Sequence, residues 1–250
     1  VFYLADRARS RRVDPAGGGY TVYYDTDGDA VRFIDELGRT YTAAYDGRHR
    51  VTSRTYAEGD RDEFGYDTRD HLTSLVRKPK PGFTGQLTLG ATYETTWNKI
   101  ATFTDARGNT TSFTYHPSGN GAGQLATVTR PTVAAGTPVN RFGYNAIGLV
   151  TAETDPTGRR TTHAYNAAGD RTSTTVATLA VSGQPALNLA TTFTPDAWGD
   201  ITVVTDPRLN ARSTTYDAAR RPTVVKHHNG GSGAALLAAT RTTYDGLGPI

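Results

Sequence analysis

Several side chains carry the oxygen donors that metal sites use. Asp25, Asp27 and Asp29 place carboxylates at positions 1, 3 and 5 of a segment whose position 12 is Glu36. This spacing overlaps a calcium-binding loop. That loop needs glycine at position 6, where this chain has Ala30, and the following residues are typical of a strand. The four carboxylates are therefore a calcium candidate that departs from the pattern at one essential position.

The remaining candidates for chemistry are equally incomplete. His227 and His228 are adjacent, so on a strand they point to opposite sides, and no third ligand lies nearby in sequence. Asp60, Asp62 and Glu63 could supply the carboxylate pair of a glycoside hydrolase, but carboxylates occur in every turn of the chain. The absence of cysteine excludes disulfides and thiolate sites. We therefore expect no catalytic site, no metal site and no cofactor.

The elements that position these residues are set by a repeat of tyrosine followed by aspartate or asparagine. Tyr24, Tyr45 and Tyr66 are 21 residues apart, and Tyr144 and Tyr165 show the same interval. The repeat positions that we expect to be structural are Tyr24, Asp25, Gly28, Tyr45, Asp46, Tyr66, Asp67, Tyr115, Tyr144, Asn145, Gly148, Tyr165, Asn166, Gly169, Tyr216, Asp217, Tyr244, Asp245 and Gly248. A fixed period of this length predicts a repeat architecture.

Each half of the repeat predicts a short strand and a tight turn. An aspartate or asparagine followed three residues later by glycine is typical of a type I turn that ends at positive φ. β-branched stretches such as 51–56 and 110–115 lie between the turns. One unit is then an antiparallel hairpin. Aromatic residues two apart, such as Phe64 and Tyr66, share a face and form a ladder as units stack.

The fold class predicted from this pattern is all-β, with tandem hairpins forming a curled antiparallel ribbon or partial shell. We expect residues 1–250 to be one continuous array of about eleven repeats. Stretches rich in glycine, proline, serine and alanine interrupt the period and predict enlarged loops. These loops lie near 78–90, 116–123, 131–139, 177–190 and 227–239.

Two stretches carry a family resemblance. YNAIGLV at 144–150 and DPTGRRTTHAYNAAG at 155–169 resemble the YD repeat, also called the Rhs repeat. That family includes bacterial Rhs polymorphic toxins, the C component of insecticidal toxin complexes, wall-associated proteins and animal teneurins. The resemblance implies a β-ribbon that closes into a hollow shell. In the toxins such a shell encloses an effector.

From this resemblance we expect a non-catalytic structural segment of a secreted or cell-surface protein. Its partner would be an encapsulated toxin or effector domain of the same parent protein, and its exposed edge strands would allow edge pairing into a homo-oligomer. The net charge of +3 gives no reason to expect a specific nucleic-acid partner.

Two alternatives remain open. The first is a cell-surface module that binds carbohydrate or protein through exposed aromatic residues, with Trp97 and Trp198 as binding candidates. The second is a hydrolase whose site is built in the enlarged loops. This second alternative requires two or more loops to converge in one cleft, and loops dispersed along the ribbon would count against it.

Overall fold

The computed structural model describes residues 9–13, 18–180 and 185–245, and the predicted all-β class is correct. Twenty strands form one antiparallel sheet, and the described residues contain no helix. Consequently, no membrane-spanning helix occurs among them. The chain divides into two compact units, Val1–Ser112 and Phe113–Ile250. Among the predicted repeat residues, Gly248 lies outside the described residues.

Unit 1 is built from strands of five to seven residues joined by short connections. They are β1 (Arg9–Val13), β2 (Gly19–Tyr24), β3 (Ala30–Ile34), β4 (Thr40–Tyr45), β5 (Val51–Thr55), β6 (Arg61–Tyr66), β7 (Leu72–Lys78), β8 (Leu87–Tyr93), β9 (Ile100–Thr104) and β10 (Thr110–Tyr115), whose last residues belong to unit 2. Each strand pairs antiparallel with the next one along the chain.

Unit 2 repeats this arrangement with longer connections. Its strands are β11 (Leu125–Thr129), β12 (Val139–Tyr144), β13 (Val150–Thr154), β14 (Arg160–Tyr165), β15 (Arg171–Ala177), β16 (Asn188–Pro195), β17 (Ile201–Thr205), β18 (Ala211–Tyr216), β19 (Pro222–Asn229) and β20 (Ala235–Arg241). From β11 to β20, each strand again pairs antiparallel with the next.

The turns of each unit alternate between two edges that differ in strand register. At the edge where the repeat tyrosines lie, Tyr45 pairs with Val51 whereas Ala44 pairs with Ser53, which leaves one extra residue on β5. The same bulge accompanies the repeat tyrosines of unit 2. At the opposite edge the register continues unshifted into the turn, as between β3 and β4. Because a bulge bends its strand and increases local twist, the two edges are not equivalent.

Few side chains are buried in either unit. Among the described residues, Ala211 is the only buried apolar side chain, at 3% exposure. Within each unit a strand contacts only the strands before and after it, so no second layer covers either face. Cross-strand threonine hydroxyl pairs, such as Thr104 with Thr110 at 2.8 Å, take part in the lateral contacts. The described residues of each unit therefore form no hydrophobic core.

The longer connections fall close to the expected enlarged loops, with one difference. Residues 79–86, 116–124 and 130–138 connect consecutive strands, and the described residues 178–180 and 185–187 lie between β15 and β16. Of the expected loop 227–239, however, only 230–234 form a connection, and the remainder belongs to β19 and β20. Backbone pairing to β19 does not depend on side-chain type, so the alanine- and leucine-rich segment completes a hairpin despite its lack of alternation.

Candidate functional site: the tyrosine–aspartate turns

Within the described residues, eleven turns of five residues begin with aspartate or asparagine and share one hydrogen-bond geometry. In the first, the Asp25 amide donates to the Asp29 carbonyl at 2.9 Å, and the Gly28 amide donates to the Asp25 carbonyl at 3.2 Å. Asp25 Oδ1 also accepts the amides of Asp27 and Asp29, at 3.0 and 2.8 Å. The same pattern begins at Asp25, Asp35, Asp46, Asp67, Asp105, Asn145, Asp155, Asn166, Asp196, Asp206 and Asp217. One side-chain oxygen thus satisfies two backbone donors in each turn.

Charged neighbours reinforce several of these turns. Arg50 Nε donates to Asp46 Oδ2 at 2.8 Å. This hydrogen bond, with the two turn amides, lowers the pKa of Asp46 from 3.8 to about 2, although burial opposes the shift. Asp105 and Asp206 accept hydrogen bonds from the side-chain amides of Asn109 and Asn210 in the same way. These bonds also lower the pKa values of the two carboxyl groups. These carboxylates are therefore ionised and fully occupied as turn acceptors at neutral pH.

The turn 94–99 has six residues instead of five and keeps the same type of hydrogen bonding. Glu94 follows the repeat tyrosine Tyr93 and stands where the other turns have aspartate or asparagine, and its amide donates to the Lys99 carbonyl at 2.9 Å. Its carboxylate accepts the amides of Thr96, Trp97 and Lys99. Because glutamate is one methylene longer than aspartate, it reaches across the additional residue. Asn98 then takes the left-handed position at φ 55°.

Seven tyrosines among the described residues tie the end of their own strand to the start of the preceding strand. The hydroxyl of Tyr45 donates to the Ala30 carbonyl at 3.1 Å, and that of Tyr66 donates to the Val51 carbonyl at 2.9 Å. The remaining donor–acceptor pairs of this kind are Tyr93 with Leu72, Tyr144 with Leu125, Tyr165 with Val150, Tyr216 with Ile201, and Tyr244 with Pro222. We call this contact the tyrosine clasp. Tyr24 instead pairs with the hydroxyl of Ser10 at 3.2 Å.

The expected aromatic ladder is only partly correct. Rings do contact in unit 1, where Phe33 lies 5.4 Å from Tyr20 and 5.7 Å from Tyr41. Several repeat tyrosines are instead covered by the last residue of the preceding turn. The Arg50 guanidinium lies 4.5 Å from the Tyr66 ring, and other covering pairs are His71 with Tyr93 at 4.3 Å and Arg221 with Tyr244 at 4.4 Å. Cation–π and stacking contacts therefore supplement the ladder along this edge.

A second contact joins neighbouring turns at the tyrosine edge. The last residue of one turn contacts the left-handed residue of the next. For example, Oδ2 of Asp29, the last residue of its turn, lies 2.9 Å from Nδ1 of His49 in the next turn. Further pairs are Arg50 with Asp70 and Asp200 with Arg220, each at 2.7 Å. His49, Asp70 and Arg220 have φ values of 60°, 70° and 61°, a region that normally favours glycine. We call this contact the turn-to-turn pair.

Where glycine occupies the left-handed position, the same neighbour fills the space. A β-carbon on Gly199 would lie 2.9 Å from Asp170 Oδ1, and one on Gly148 would lie 2.5 Å from Gln124 Nε2. Asp170 and Gln124 are the last residues of the preceding connections. The relation between one turn and the next is therefore the same in both units, whether or not the residues are charged.

The structure separates the calcium candidates. Asp25 Oδ1 accepts two turn amides, and Asp29 is paired with His49. Glu36 lies in the turn at the far end of β3, about 17 Å from the start of that strand. Across residues 9–13, 18–180 and 185–245, no group of three or more metal-ligating side chains is arranged to hold an ion.

The other predicted residues also have definite places. His228 is buried, with Nδ1 3.1 Å from the Ala234 carbonyl, whereas His227 is exposed on the opposite face. Trp97 and Trp198 both lie in turns of the tyrosine edge, at 40% and 76% exposure. In unit 2, the connections that follow β11 and β15 start four strands apart, about 19 Å along the sheet. That separation counts against a hydrolase cleft shared by these two loops.

One polar cluster was not recognised as a unit from the sequence. Asp62 is 4% exposed and accepts two hydrogen bonds from the Arg77 guanidinium, at 2.7 and 2.8 Å. The Tyr56 hydroxyl donates a third, at 2.9 Å. Arg77 and then Tyr56 lower the pKa of Asp62 against the opposing effect of burial. The available signal was strand alternation, which places Asp62 and Glu63 on opposite faces. The carboxylates of Asp60, Asp62 and Glu63 therefore do not all share one face.

Comparison with known proteins supports the repeat assignment. The RHS Repeat family model matches residues 24–61 in unit 1 and 144–178 in unit 2. No curated protein sequence matches the chain. The crystal structure of TcdB2-TccC3-TEV aligns with a TM-score of 0.62 at 14% identity, over 97% of this chain and 14% of that one. The Photorhabdus luminescens Tc holotoxin pore, with a TccC3 mutation, aligns with a TM-score of 0.58 at 13% identity, over 98% and 16%.

At this level of identity the two structures establish a shared fold, and this chain corresponds to a small part of each. The match of the repeat model in both units adds sequence evidence that is independent of the structural alignment. The eleven equivalent turns and the seven tyrosine clasps give that sequence pattern its physical basis. The chain therefore contains RHS repeats at residues 24–61 and 144–178.

Proposed function

We propose that this chain is a non-catalytic wall segment of a β-shell in a secreted or cell-surface protein, and that the shell encloses a toxin or effector domain of the same polypeptide. The observation that carries this proposal is the near absence of a buried apolar core. Ala211 alone, among the apolar side chains that the structure describes, is buried. A single-layer sheet exposes both faces, as a wall between a cavity and solvent does.

The lateral contacts support the same role. Hydrogen bonds of the turns and tyrosine clasps join each strand to its neighbours without help from a second layer. Repeat arrays gain stability from such nearest-neighbour contacts and lengthen by adding units. The shared fold with TcdB2-TccC3-TEV, over 97% of this chain and 14% of that one, is also consistent with a segment of a larger wall.

The proposal is tested by cryo-electron microscopy of the complete polypeptide that contains this chain. We expect β1–β20 to form part of a wall around a cavity that holds density for another domain of the same polypeptide. A protease should cleave the enclosed domain when that domain is isolated. The same protease should leave the domain uncut when it is added to the intact particle. Both faces of β1–β20 lying in open solvent, or an equally fast cleavage of that domain in the particle, would show that this segment is not an enclosing wall.

A further inference from the structure

A cavity in unit 1 lies on the face of the sheet that carries the ring of Tyr45. Its volume is about 220 Å³, which is smaller than the clefts that hold drug-sized ligands and suits a single ring system. It is lined by Phe33 of β3, by Tyr41 and Tyr45 of β4, and by Tyr56, the first residue of the turn that follows β5. Four aromatic residues from neighbouring strands thus surround one space, which we call the aromatic cavity.

The space exists because a small residue, Ala43, lies between the two tyrosines of β4 on the same face. Other repeats have a large ring at this position, two residues before the repeat tyrosine, namely Phe64, Phe113, Phe142 and His163. Ala91 is a second alanine at this position, but it pairs across the strands with Phe103, whereas Ala43 pairs with Arg54. The missing ring at Ala43 therefore leaves a cavity with a charged residue beside it.

The aromatic walls are held in place by contacts that point away from the cavity. The Tyr45 hydroxyl donates to a backbone carbonyl of β3 at 3.1 Å, and the Tyr56 hydroxyl donates to Asp62 at 2.9 Å. The ring of Tyr41 packs against that of Phe33, with 5.7 Å between their centres. A ligand would then need to order few side chains on binding, which favours affinity.

One arginine of the lining has no acidic partner. The Arg54 guanidinium lies 5.9 Å from the Phe64 ring, and no residue that the structure describes forms a hydrogen bond or an ion pair with it. Asp62 lies opposite Arg54 in the register, but both of its oxygens already accept hydrogen bonds from Arg77. The other arginine of the lining, Arg32, lies over a tyrosine ring of β2 at 3.7 Å. Arg54 is therefore the group that can pair with an anion.

We propose that the aromatic cavity binds a small aromatic carboxylate. The ring of the ligand occupies the place that phenylalanine or histidine has in other repeats, where it packs against the tyrosine and phenylalanine rings. The carboxylate accepts two parallel hydrogen bonds from the Arg54 guanidinium, a geometry that the planar group favours. This site is independent of the wall function, because every residue that forms it belongs to β3–β5 and the turn that follows.

The test is a ligand-observed NMR titration of the chain with benzoate and with phenylacetate. We expect saturable binding of at least one of them, with a Kd of about 1 mM or tighter. Arg54→Gln should weaken that binding by about tenfold or more, because it removes a charged bidentate donor. Ala43→Phe should abolish it, because it fills the cavity with the ring that other repeats carry. The matched control is Arg107→Gln, which removes a positive charge from an exposed turn of the same unit and should leave the affinity unchanged.

Analogues of the ligands separate the roles of the ring and the charge. The saturated-ring acids, cyclohexanecarboxylate and cyclohexylacetate, and the neutral amides, benzamide and phenylacetamide, should all bind more weakly than the aromatic acids. Far-ultraviolet circular dichroism establishes that each variant keeps the β-spectrum of the parent chain. Absence of binding by both aromatic acids up to about 10 mM would overturn the proposal. An affinity that neither Arg54→Gln nor Ala43→Phe changes would do so as well, and equal binding of the saturated-ring acids would refute the aromatic assignment.

Discussion

The substitution Asp62→Asn removes one charge from the most buried ionised group that the structure describes. It keeps the side-chain shape but replaces one carboxylate oxygen by an NH₂ group, which cannot accept the hydrogen bond that Arg77 or Tyr56 donates there. Three hydrogen bonds of 2.7–2.9 Å converge on this carboxylate. Its 4% exposure means that water does not replace them.

The size of the effect follows from these contacts. A hydrogen bond to a charged group contributes about 1.5–3 kcal/mol. The Arg77 side chain is 56% exposed, so solvent already weakens its two bonds to Asp62. After that discount, we expect Asp62→Asn to lower the free energy of unfolding of unit 1 by about 2–3 kcal/mol.

The two tryptophans allow each unit to be followed separately. Trp97 belongs to unit 1 and Trp198 to unit 2, so a Trp198→Phe background leaves a probe of unit 1 alone. With a urea dependence of about 1–3 kcal/mol per molar, the midpoint should fall by about 1 M. Glu63→Gln is the matched control, because Glu63 is the next residue, lies on the opposite face and bonds Lys78 and Arg61 at 29% exposure. Its midpoint should move much less.

Acidification provides a second check with a defined sign. The pKa of Asp62 in the folded chain lies below its ordinary value of 3.8, chiefly because Arg77 bonds the carboxylate. A group with a lowered folded pKa stabilises the fold above its unfolded pKa and loses that contribution as the pH falls through the folded pKa. The gap between the parent chain and Asp62→Asn should therefore be full at neutral pH and close below about pH 4. A midpoint shift no larger than that of Glu63→Gln, or a gap independent of pH, would refute this reasoning.

Two further predictions use matched positions in the same way. Gly121→Ala should lower the thermal midpoint much more than Gly119→Ala, because both residues have positive φ but only a β-carbon on Gly121 would meet the Tyr144 ring and Cβ, at 2.6–2.9 Å; equal shifts would mean that backbone strain alone decides. The Asp46 carboxyl should titrate near its pKa of about 2 in a carbon-detected NMR experiment, and Arg50→Gln should move that pKa back toward 3.8. An unchanged titration would show that the turn amides, and not Arg50, lower the pKa of Asp46.

The strands and turns were predictable because their determinants are local. An aspartate or asparagine bonds amides two and four residues ahead, and glycine accepts positive φ, so the turn is encoded within five residues. The spacing from Tyr24 to Tyr45 and Tyr66 places equivalent turns two strands apart. Local rules therefore predicted the all-β class and the position of the first turn residue in most repeats.

The cross-strand contacts were less accessible to sequence reasoning. Asp62 and Arg77 are 15 residues apart, and they meet only because the register of β6 and β7 sets them opposite each other. That register includes a bulge at the repeat tyrosine Tyr66, which shifts the pairing by one residue. The acceptor of each tyrosine clasp is a backbone carbonyl, so its identity leaves no trace in the sequence. Contacts of this kind depend on register, which short motifs do not determine.

The turn-to-turn pairs depend on the types of both side chains, whereas the tyrosine clasps depend on only one. Every clasp joins a tyrosine to a backbone carbonyl, so it holds any two neighbouring repeats equally well. A side chain at positive φ is disfavoured, and an exposed ion pair such as His49 with Asp29 returns little stability. A charged pair differs from the clasp in one respect, because it is favourable only where residues of opposite charge meet. The clasp can therefore recur wherever a tyrosine ends a strand, whereas each charged pair fits only a neighbouring turn that carries the opposite charge.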